Sequence, residues 1–283
     1  MKCRISILND ELEELILKYR KAGYSLDRIG EELQVYKNTL ITYFENKNIV
    51  IPREEYPSFN IKGSKALIIS DTHIGSEFQN LNYIDEAYNV GLREGVCACL
   101  HAGDLFQGHL FANDDSLKVQ TVTFVNCYPK INEFKTKVGL GNHDYWYFVK
   151  QKYLPRELES RDDIELYGYR RVFFDWNNYM FALDHGNKYY KDFVHKESYA
   201  FCIAGHGHEL QIHNEGATKI KVGASCDDIK KEGAFPGFLI ARLEGNILII
   251  DSYCFEDGKA ILKQEEYFVK EFNDHHKVRR LVA

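Results

Sequence analysis

Short apolar runs recur along most of this 283-residue chain, and polar motifs follow them directly. For example, Ala66-Leu67-Ile68-Ile69-Ser70 is followed by Asp71-Thr72-His73. Stretches of helical character near residues 83–93 and 117–127 separate the first runs, and this alternation predicts parallel β-α units. After about Ile164 strand-like segments dominate. The pattern therefore predicts an α/β fold with two mixed sheets flanked by helices.

Five of these motifs carry side chains that can bind metal ions. They are Asp71-Thr72-His73, Gly103-Asp104, Gly141-Asn142-His143-Asp144, His185-Gly186 and Gly205-His206-Gly207-His208. Carboxylates, one amide oxygen and imidazoles suit Mn²⁺, Fe²⁺ or Zn²⁺, and the set lacks the thiolates of a structural zinc site. Two such cations would leave the cluster net positive, which attracts phosphate. Because each motif follows an apolar run, its ligands are expected on loops at the strand ends.

The spacing inside two motifs predicts which side chains act together. Asp71 and His73 are two residues apart, so in an extended chain they face one cation from the same side. The same period applies to His206 and His208. We therefore expect both pairs to reach the metals from extended segments.

The order and spacing of the five motifs resemble the calcineurin-like metallophosphoesterase superfamily, whose pattern is D-x-H, G-D, G-N-H-D/E, H and G-H-x-H. The resemblance covers roughly residues 63–268. It implies a four-layer α/β/β/α sandwich, two divalent metal ions and hydrolysis of phosphoesters. Mn²⁺ is the metal expected first, with Fe²⁺, Zn²⁺ or Ni²⁺ as alternatives.

The resemblance also implies a role for each motif residue. The first metal would bind Asp71, His73 and His208, the second would bind Asn142, His185 and His206, and Asp104 would bridge them. His143 would then stabilise the transition state and protonate the leaving oxygen, with Asp144 orienting its imidazole. Asp184 is expected to be structural, and His101 matches no motif position.

The residues in and around the motifs narrow the choice of subfamily. Asp104 is not followed by the Asp-Arg-Gly of protein serine/threonine phosphatases, and Asn142 is not preceded by their arginine, so that class is disfavoured. Gly103-Asp104-Leu105-Phe106 is similar to DNA-repair nucleases of the Mre11/SbcD type and to bacterial phosphodiesterases. Gln107 stands where those nucleases have a histidine, which argues against DNA end resection. Gln107 and His109 are expected either to line the substrate cleft or to lie plainly on the surface.

Three helices are predicted ahead of this region. Apolar residues recur at helical spacing over Glu11–Lys21, Ser25–Leu33 and Lys37–Glu45. The segment from Ser25 to Leu40 resembles a helix-turn-helix, in which the third helix reads DNA. Residues 1–50, however, hold eight basic and eight acidic side chains, and Gln34 replaces the usual turn glycine. A small helical module for protein contacts is the alternative.

The composition sets further limits. We expect a helix-turn-helix-like domain at 1–50, a proline-broken linker at 51–62, the metallophosphoesterase domain at 63–268 and a tail at 269–283. A net charge of −6 argues against nonspecific coating of nucleic acid. The early acidic residues, the lack of a membrane-spanning run and seven scattered cysteines predict a cytoplasmic protein that does not bind membranes. The oligomeric state stays open.

Together these features favour a dinuclear-metal phosphodiesterase, with a phosphoester as substrate and DNA as a partner of residues 1–50. One alternative is a phosphodiesterase or phosphatase for cyclic nucleotides or similar small esters. Another is a DNA-binding regulator with an inactive phosphoesterase domain. The complete ligand set favours the enzymes.

Overall fold

The computed structural model describes residues 13–14, 16–17, 26, 29–30, 33, 35–47, 58–108, 114–151, 161–168, 171–186, 199–213, 218–228 and 235–273. The chain divides into two compact units, Met1–Pro57 and Ser58–Ala283. Within these described residues, no helix is both long enough and apolar enough to cross a membrane.

The first unit contains helix α1 (Lys37–Asn46), which confirms the third helix predicted there. Its buried residues Leu40, Tyr43 and Phe44 recur at helical spacing. They form one apolar cluster with Ile16, Ile29 and Val35. Described positions 13, 14, 16, 17, 26, 29 and 30 are helical too, and the remainder of the first two predicted helices lies outside the described residues.

The second unit begins with alternating strands and helices. They are β1 (Ser58–Ile61), β2 (Lys65–Ile69), α2 (Leu81–Glu94), β3 (Ala98–His101), α3 (Asp114–Cys127), β4 (Lys135–Val138), α4 (Asn142–Gln151) and β5 (Ile164–Leu166). Strands β2, β3, β4 and β5 pair in parallel, as the β-α alternation predicts. Their carboxyl ends therefore lie at one edge of the sheet.

Strands make up the second half of this unit in the described residues. They are β6 (Val172–Trp176), β7 (Tyr179–Asp184), β8 (Phe201–Ala204), β9 (Gln211–His213), β10 (Lys219–Lys221), β11 (Gly237–Glu244), β12 (Ile247–Glu256) and β13 (Lys259–Glu271). One sheet has the order β13-β12-β11-β2-β3-β4-β5, and the other has the order β1-β6-β7-β8-β10-β9. Two mixed sheets with helices confirm the predicted fold class.

Two apolar clusters separate the layers. One contains Ile68 of β2 together with Phe174 and Phe181 of the other sheet, so it lies between the sheets. The other contains Leu67 and Ile69 of β2 together with residues of α2, α3 and α4. Because successive strand residues point to opposite faces, β2 contributes to both clusters. The central strands β2, β3 and β11 of the seven-stranded sheet are thus buried on both faces, which explains their nearly continuous apolar runs.

Two boundaries differ from the sequence-based expectation. Ser58–Ile61, within the expected linker 51–62, is strand β1, which pairs in parallel with β6 and buries Phe59 and Ile61. A four-residue strand directly after Pro57 gives too short a pattern to recognise. Strand β13 runs to Glu271, beyond the expected domain end at residue 268. Its side chains are mostly exposed, and backbone pairing with β12 rather than an apolar pattern holds it in place.

Candidate metal centre

The loops at the carboxyl ends of five strands bring the motif residues together. Asp71 and His73 follow β2, Asp104 follows β3, Asn142 follows β4, His185 follows β7, and His206 and His208 follow β8. Three groups have ligand atoms within 4.8 Å of one another: Asp71, His73 and His208; Asp104, His185 and His206; and His73, Asp104 and His143. Both sheets therefore contribute to one site.

The first group consists of Asp71, His73 and His208, all of them buried. Oδ1 of Asp71 lies 3.3 Å from Nε2 of His208 and 3.7 Å from Nε2 of His73. The two Nε2 atoms are 3.2 Å apart. A carboxylate oxygen and two imidazole nitrogens that converge in this way offer three ligands to one divalent cation.

Asp104 belongs to the second group and also lies close to His73 of the first group. Its Oδ2 atom is 2.9 Å from Nε2 of His185 and 3.9 Å from Nε2 of His73. His206 belongs to the same group as Asp104 and His185. The carboxylate of Asp104 therefore approaches histidines of both groups.

Several ligand atoms are buried without a hydrogen-bond partner among the described residues. They are Oδ1 of Asp71, Oδ2 of Asp104, Oδ1 of Asn142 and Nε2 of His185. The close approach of Asp104 to His185 lacks the alignment of a hydrogen bond. An unpaired buried polar atom costs about 1–3 kcal/mol, so four in one place need a common explanation. Their oxygen and imidazole character fits a pair of divalent metals.

The backbone is left-handed at five of the seven predicted metal ligands. The angle φ is +52° at Asp71, +44° at His73, +54° at Asp104, +70° at His206 and +54° at His208. The expectation that Asp71 and His73, and likewise His206 and His208, reach the metals from extended segments is therefore wrong. A period of two in the sequence is equally compatible with a tight loop. Such conformations cost of order 1–3 kcal/mol each in non-glycine residues and persist only where the surroundings fix them.

Hydrogen bonds between the loops fix this backbone. The amides of Asp71, His73 and Ile74 donate to the carbonyls of residues 103, 104 and 105 at 2.9, 3.1 and 3.0 Å. The amide of His206 donates to Oδ2 of Asp71 at 2.9 Å, which joins the two sheets. A Cβ atom at Gly141 would overlap Oδ1 of Asp104, so glycine is required there by close approach.

The electrostatics of the site favour charged carboxylates. Burial raises the pKa of Asp71, but the close imidazoles of His208 and His73 bring it well below its usual range. Burial also opposes ionisation of Asp104, yet the charge of His185 lowers its pKa to about 2. Burial lowers the pKa of His185, and the opposing effect of Asp104 raises it to about 10. A cation bound at His185 would compete with a proton for the ring nitrogen.

His143 lies beside the ligands, with its ring centroid 4.8 Å from that of His73. Its Nδ1 atom is 2.6 Å from the carbonyl oxygen of Gln107. The carboxylate of Asp144 instead accepts the amides of Phe106 and Gly141, both at 2.8 Å. The carbonyl of Gln107 therefore orients the imidazole, while both carboxylate oxygens of Asp144 accept backbone amides; orientation of His143 by Asp144 stays a prediction. As the third residue of α4, Asp144 closes the first turn of that helix.

Burial of Asp144 and the charge of Asp104 raise the pKa of the Asp144 carboxyl to about 6, against the lowering effect of its amide donors.

Asp184 is paired with Arg171 at 2.8 Å, in agreement with a structural role. The amide of Gln107 donates to the carbonyl of Ile74 at 2.9 Å, so its backbone is part of the site's frame. His109 lies outside the described residues.

Backbone carbonyls orient two further histidines, His185 and His208. Nδ1 of His185 lies 2.8 Å from the carbonyl oxygen of Ala102, and Nδ1 of His208 lies 2.6 Å from that of Asp228. These contacts direct Nε2 of each ring toward the ligand cluster and fix its tautomer. Sequence reasoning missed them because every residue type offers the same carbonyl.

The fold agrees with comparisons to known proteins. The family model of the calcineurin-like phosphoesterase superfamily domain matches residues 65–245, and the protein belongs to this superfamily. This confirms the resemblance found in the motifs. No curated protein matches the sequence.

Several solved structures are similar to this chain at low sequence identity. Vps29 from Cryptosporidium parvum is 17% identical, covering 74% of this chain and 98% of that one, with a TM-score of 0.46. A conserved uncharacterized protein from Streptococcus pneumoniae, described as a predicted phosphoesterase, is 16% identical over 74% and 97% of the two chains, with a TM-score of 0.42. Wild-type Vps29 from Entamoeba histolytica complexed with Zn²⁺ is 16% identical over 74% and 99%, with a TM-score of 0.42.

Proposed function

We propose that this protein is a two-metal phosphoester hydrolase. The observation that carries the proposal is the position of Asp104, whose Oδ2 atom lies near Nε2 of both His185 and His73 and is buried without a hydrogen-bond partner. Mn²⁺ is the proposed metal, with Fe²⁺, Zn²⁺ or Ni²⁺ as alternatives, because the donors are carboxylates, an amide and imidazoles without thiolates.

The proposed metal ligands divide into two sets that share Asp104. Asp71, His73 and His208 form one set, and Asn142, His185 and His206 form the other. Bound metals would supply an activated water and charge stabilisation for the phosphoryl oxygens. One ring nitrogen of His143 lies within 4.8 Å of ligand atoms of His73 and Asp104, and this proximity supports the proposal that His143 protonates the leaving oxygen.

A phosphodiester is the proposed substrate, with nucleic acid as one form of it. The loops around Asp104 and Asn142 lack the paired arginines that would hold a phosphoprotein, as the motif spelling indicates. Helix α1 presents Lys37 and Asn38 to solvent, where a helix-turn-helix would contact DNA. The equal numbers of basic and acidic side chains in residues 1–50 favour the second candidate, a small-molecule phosphodiesterase.

A cytoplasmic location is proposed on the state of the cysteines. Cys97, Cys99, Cys226 and Cys254 are free thiols in the structure, and exposed Cys127 is free as well. Thiols stay reduced in the cytosol, whereas oxidising compartments favour disulfides.

A substrate comparison tests the proposed function. Full-length protein is stripped of metal, reloaded with Mn²⁺ and assayed on p-nitrophenyl phosphate, its bis ester, cyclic nucleotides and single- and double-stranded DNA. We expect metal-dependent hydrolysis of diesters, lost in Asp104→Asn. Asp257→Asn is the matched control, since both aspartates have left-handed backbone, with φ of +54° and +49°, but Asp257 is exposed in a turn. Two bound metals without turnover of any phosphoester would contradict the proposal and favour a regulator with an inactive domain.

A further inference from the structure

His101 is a fully buried histidine that none of the proposed catalytic or ligand roles uses. It is the last residue of β3, three positions before Asp104. The amide of Gly103 donates to its Nδ1 atom at 3.2 Å. Its Nε2 atom lies 3.2 Å from Oγ1 of Thr72, and that hydroxyl donates to the carbonyl oxygen of Leu105 at 3.0 Å.

These contacts define the tautomer of His101. Because Nδ1 accepts a hydrogen bond, the neutral ring carries its proton on Nε2. Nε2 then donates to Oγ1 of Thr72, whose own proton is directed to Leu105. The chain of hydrogen bonds runs in one direction, from Gly103 through His101 and Thr72 to Leu105, and both ring nitrogens are used.

This series of hydrogen bonds joins the two loops that carry three of the proposed ligands. Thr72 stands between Asp71 and His73, while Gly103 and Leu105 flank Asp104. All three of those ligands have left-handed backbone, which only the surrounding contacts can maintain. Thr72 and His101 are the buried side chains that join the two loops directly beneath these residues.

We propose that His101 and Thr72 are positioning residues that hold the two ligand loops in register and thereby set the metal affinity of the site. The inference rests on the proposed function, because it needs metals at Asp71, His73 and Asp104. Side chains that support metal ligands without touching the metal typically change affinity by about 10–100-fold when removed.

Four variants separate the effect of the hydrogen bonds from the effect of side-chain volume. Thr72→Val removes the hydroxyl at nearly constant shape, and Thr72→Ser retains it. His101→Asn keeps an acceptor for the Gly103 amide, and His101→Gln keeps a donor for Thr72. Thr136→Val is the matched control, because Thr136 is also buried and hydrogen-bonded, to the hydroxyl of Tyr88 at 2.6 Å.

Mn²⁺ affinity, measured by calorimetry on the stripped full-length protein, is the main readout. Thr72→Val and both His101 variants should bind Mn²⁺ about 10–100-fold more weakly, whereas Thr72→Ser and Thr136→Val should bind it like the wild type. The electron paramagnetic resonance signal of the bound Mn²⁺ pair should change in the same variants. Nitrogen-15 spectra of the metal-free protein should show His101 protonated on Nε2.

Two results overturn the inference. Equal weakening in Thr72→Val and Thr136→Val would mean that loss of any buried hydrogen bond has the same effect. Unchanged Mn²⁺ affinity in both His101 variants would refute positioning even if Thr72→Val failed to fold. A wild-type protein that binds no Mn²⁺ would instead reject the proposed function itself, and this outcome is distinct from the other two.

Discussion

Nδ1 of His143 lies 2.6 Å from the carbonyl oxygen of Gln107, and this contact determines how the imidazole can act. A carbonyl can only accept, so Nδ1 carries a proton in every ionisation state. Proton exchange with a substrate must then occur at Nε2. The contact thus assigns acid–base chemistry to one atom of the ring.

Replacement of His143 by alanine should lower kcat by about 10²–10⁴ on esters with poor leaving groups, because these need a proton on the departing oxygen. The loss should be smaller for p-nitrophenyl esters. The bound metal should stay near the wild-type amount, since His143 is proposed not to be a ligand. Steady-state kinetics with parallel metal analysis checks both points. Loss of metal in His143→Ala would show that the imidazole binds a cation.

The site should bind two metals about 3.5–4 Å apart, the separation typical of two-metal hydrolytic centres. Asp104→Asn should lose at least one of them, because a neutral amide is a weaker bridge than a carboxylate. Elemental analysis under saturating Mn²⁺, together with the spin coupling of the pair, measures the number and the separation. At most one ion in the wild-type protein would disprove a dinuclear centre.

Gly108→Ala should impair turnover more than it impairs folding. The φ angle of Gly108 is +26°, and an added Cβ would overlap the carbonyl oxygen of His143. Since Gly108 follows Gln107, the shift would disturb the contact that orients the His143 ring. Gly245→Ala is the control, because its φ is +63° but nothing lies within 4 Å of the added atom. Urea unfolding and kcat for both variants test this, and equal effects on kcat would count against it.

The sequence predicted which residues meet but not how the chain presents them. Carboxylates and histidines after apolar runs, in a known order, indicated the convergence of Asp71, Asp104 and His185. The left-handed backbone of Asp71 was not predictable, because it depends on a hydrogen bond to the carbonyl of Gly103 in the loop after β3. The end of strand β13 was not predicted for a similar reason, since pairing with β12 rather than an apolar pattern of its own side chains holds it in place.

Glu165 should make stability depend on pH. Burial raises the pKa of Glu165, but Lys137 and Tyr167 lower it to about 2. Because the folded-state pKa lies below the unfolded value of about 4.3, its contribution is present above that pH and is lost as the pH falls toward 2. In urea unfolding of metal-free protein, Glu165→Gln should therefore destabilise most at neutral pH, and the difference should shrink in acid. Exposed Glu265→Gln serves as control, and a loss independent of pH would contradict this assignment.

DNA binding through the first unit can be tested at α1. If this helix enters the major groove, Lys37→Ala and Asn38→Ala in the full-length protein should weaken binding of duplex DNA, and added salt should weaken it steeply through counterion release. Hydrolysis of a small diester should be unaffected, since every proposed ligand follows Ser70. Lys259→Ala, at an exposed position on β13, is the control for charge alone. Fluorescence anisotropy that detects no DNA binding at low salt would favour a protein-contact module.

The division of the ligands between two sheets has a mechanical consequence. Asp71 and Asp104 extend from the edge of the seven-stranded sheet, and His185 and His206 extend from the edge of the six-stranded sheet. Metals bound by both sets would cross-link the two sheets, which are otherwise joined by the apolar layer between them and by the hydrogen bond from the amide of His206 to Asp71. We expect the metal-loaded molecule to resist separation of the sheets at this edge, so that bound ions would also carry mechanical load.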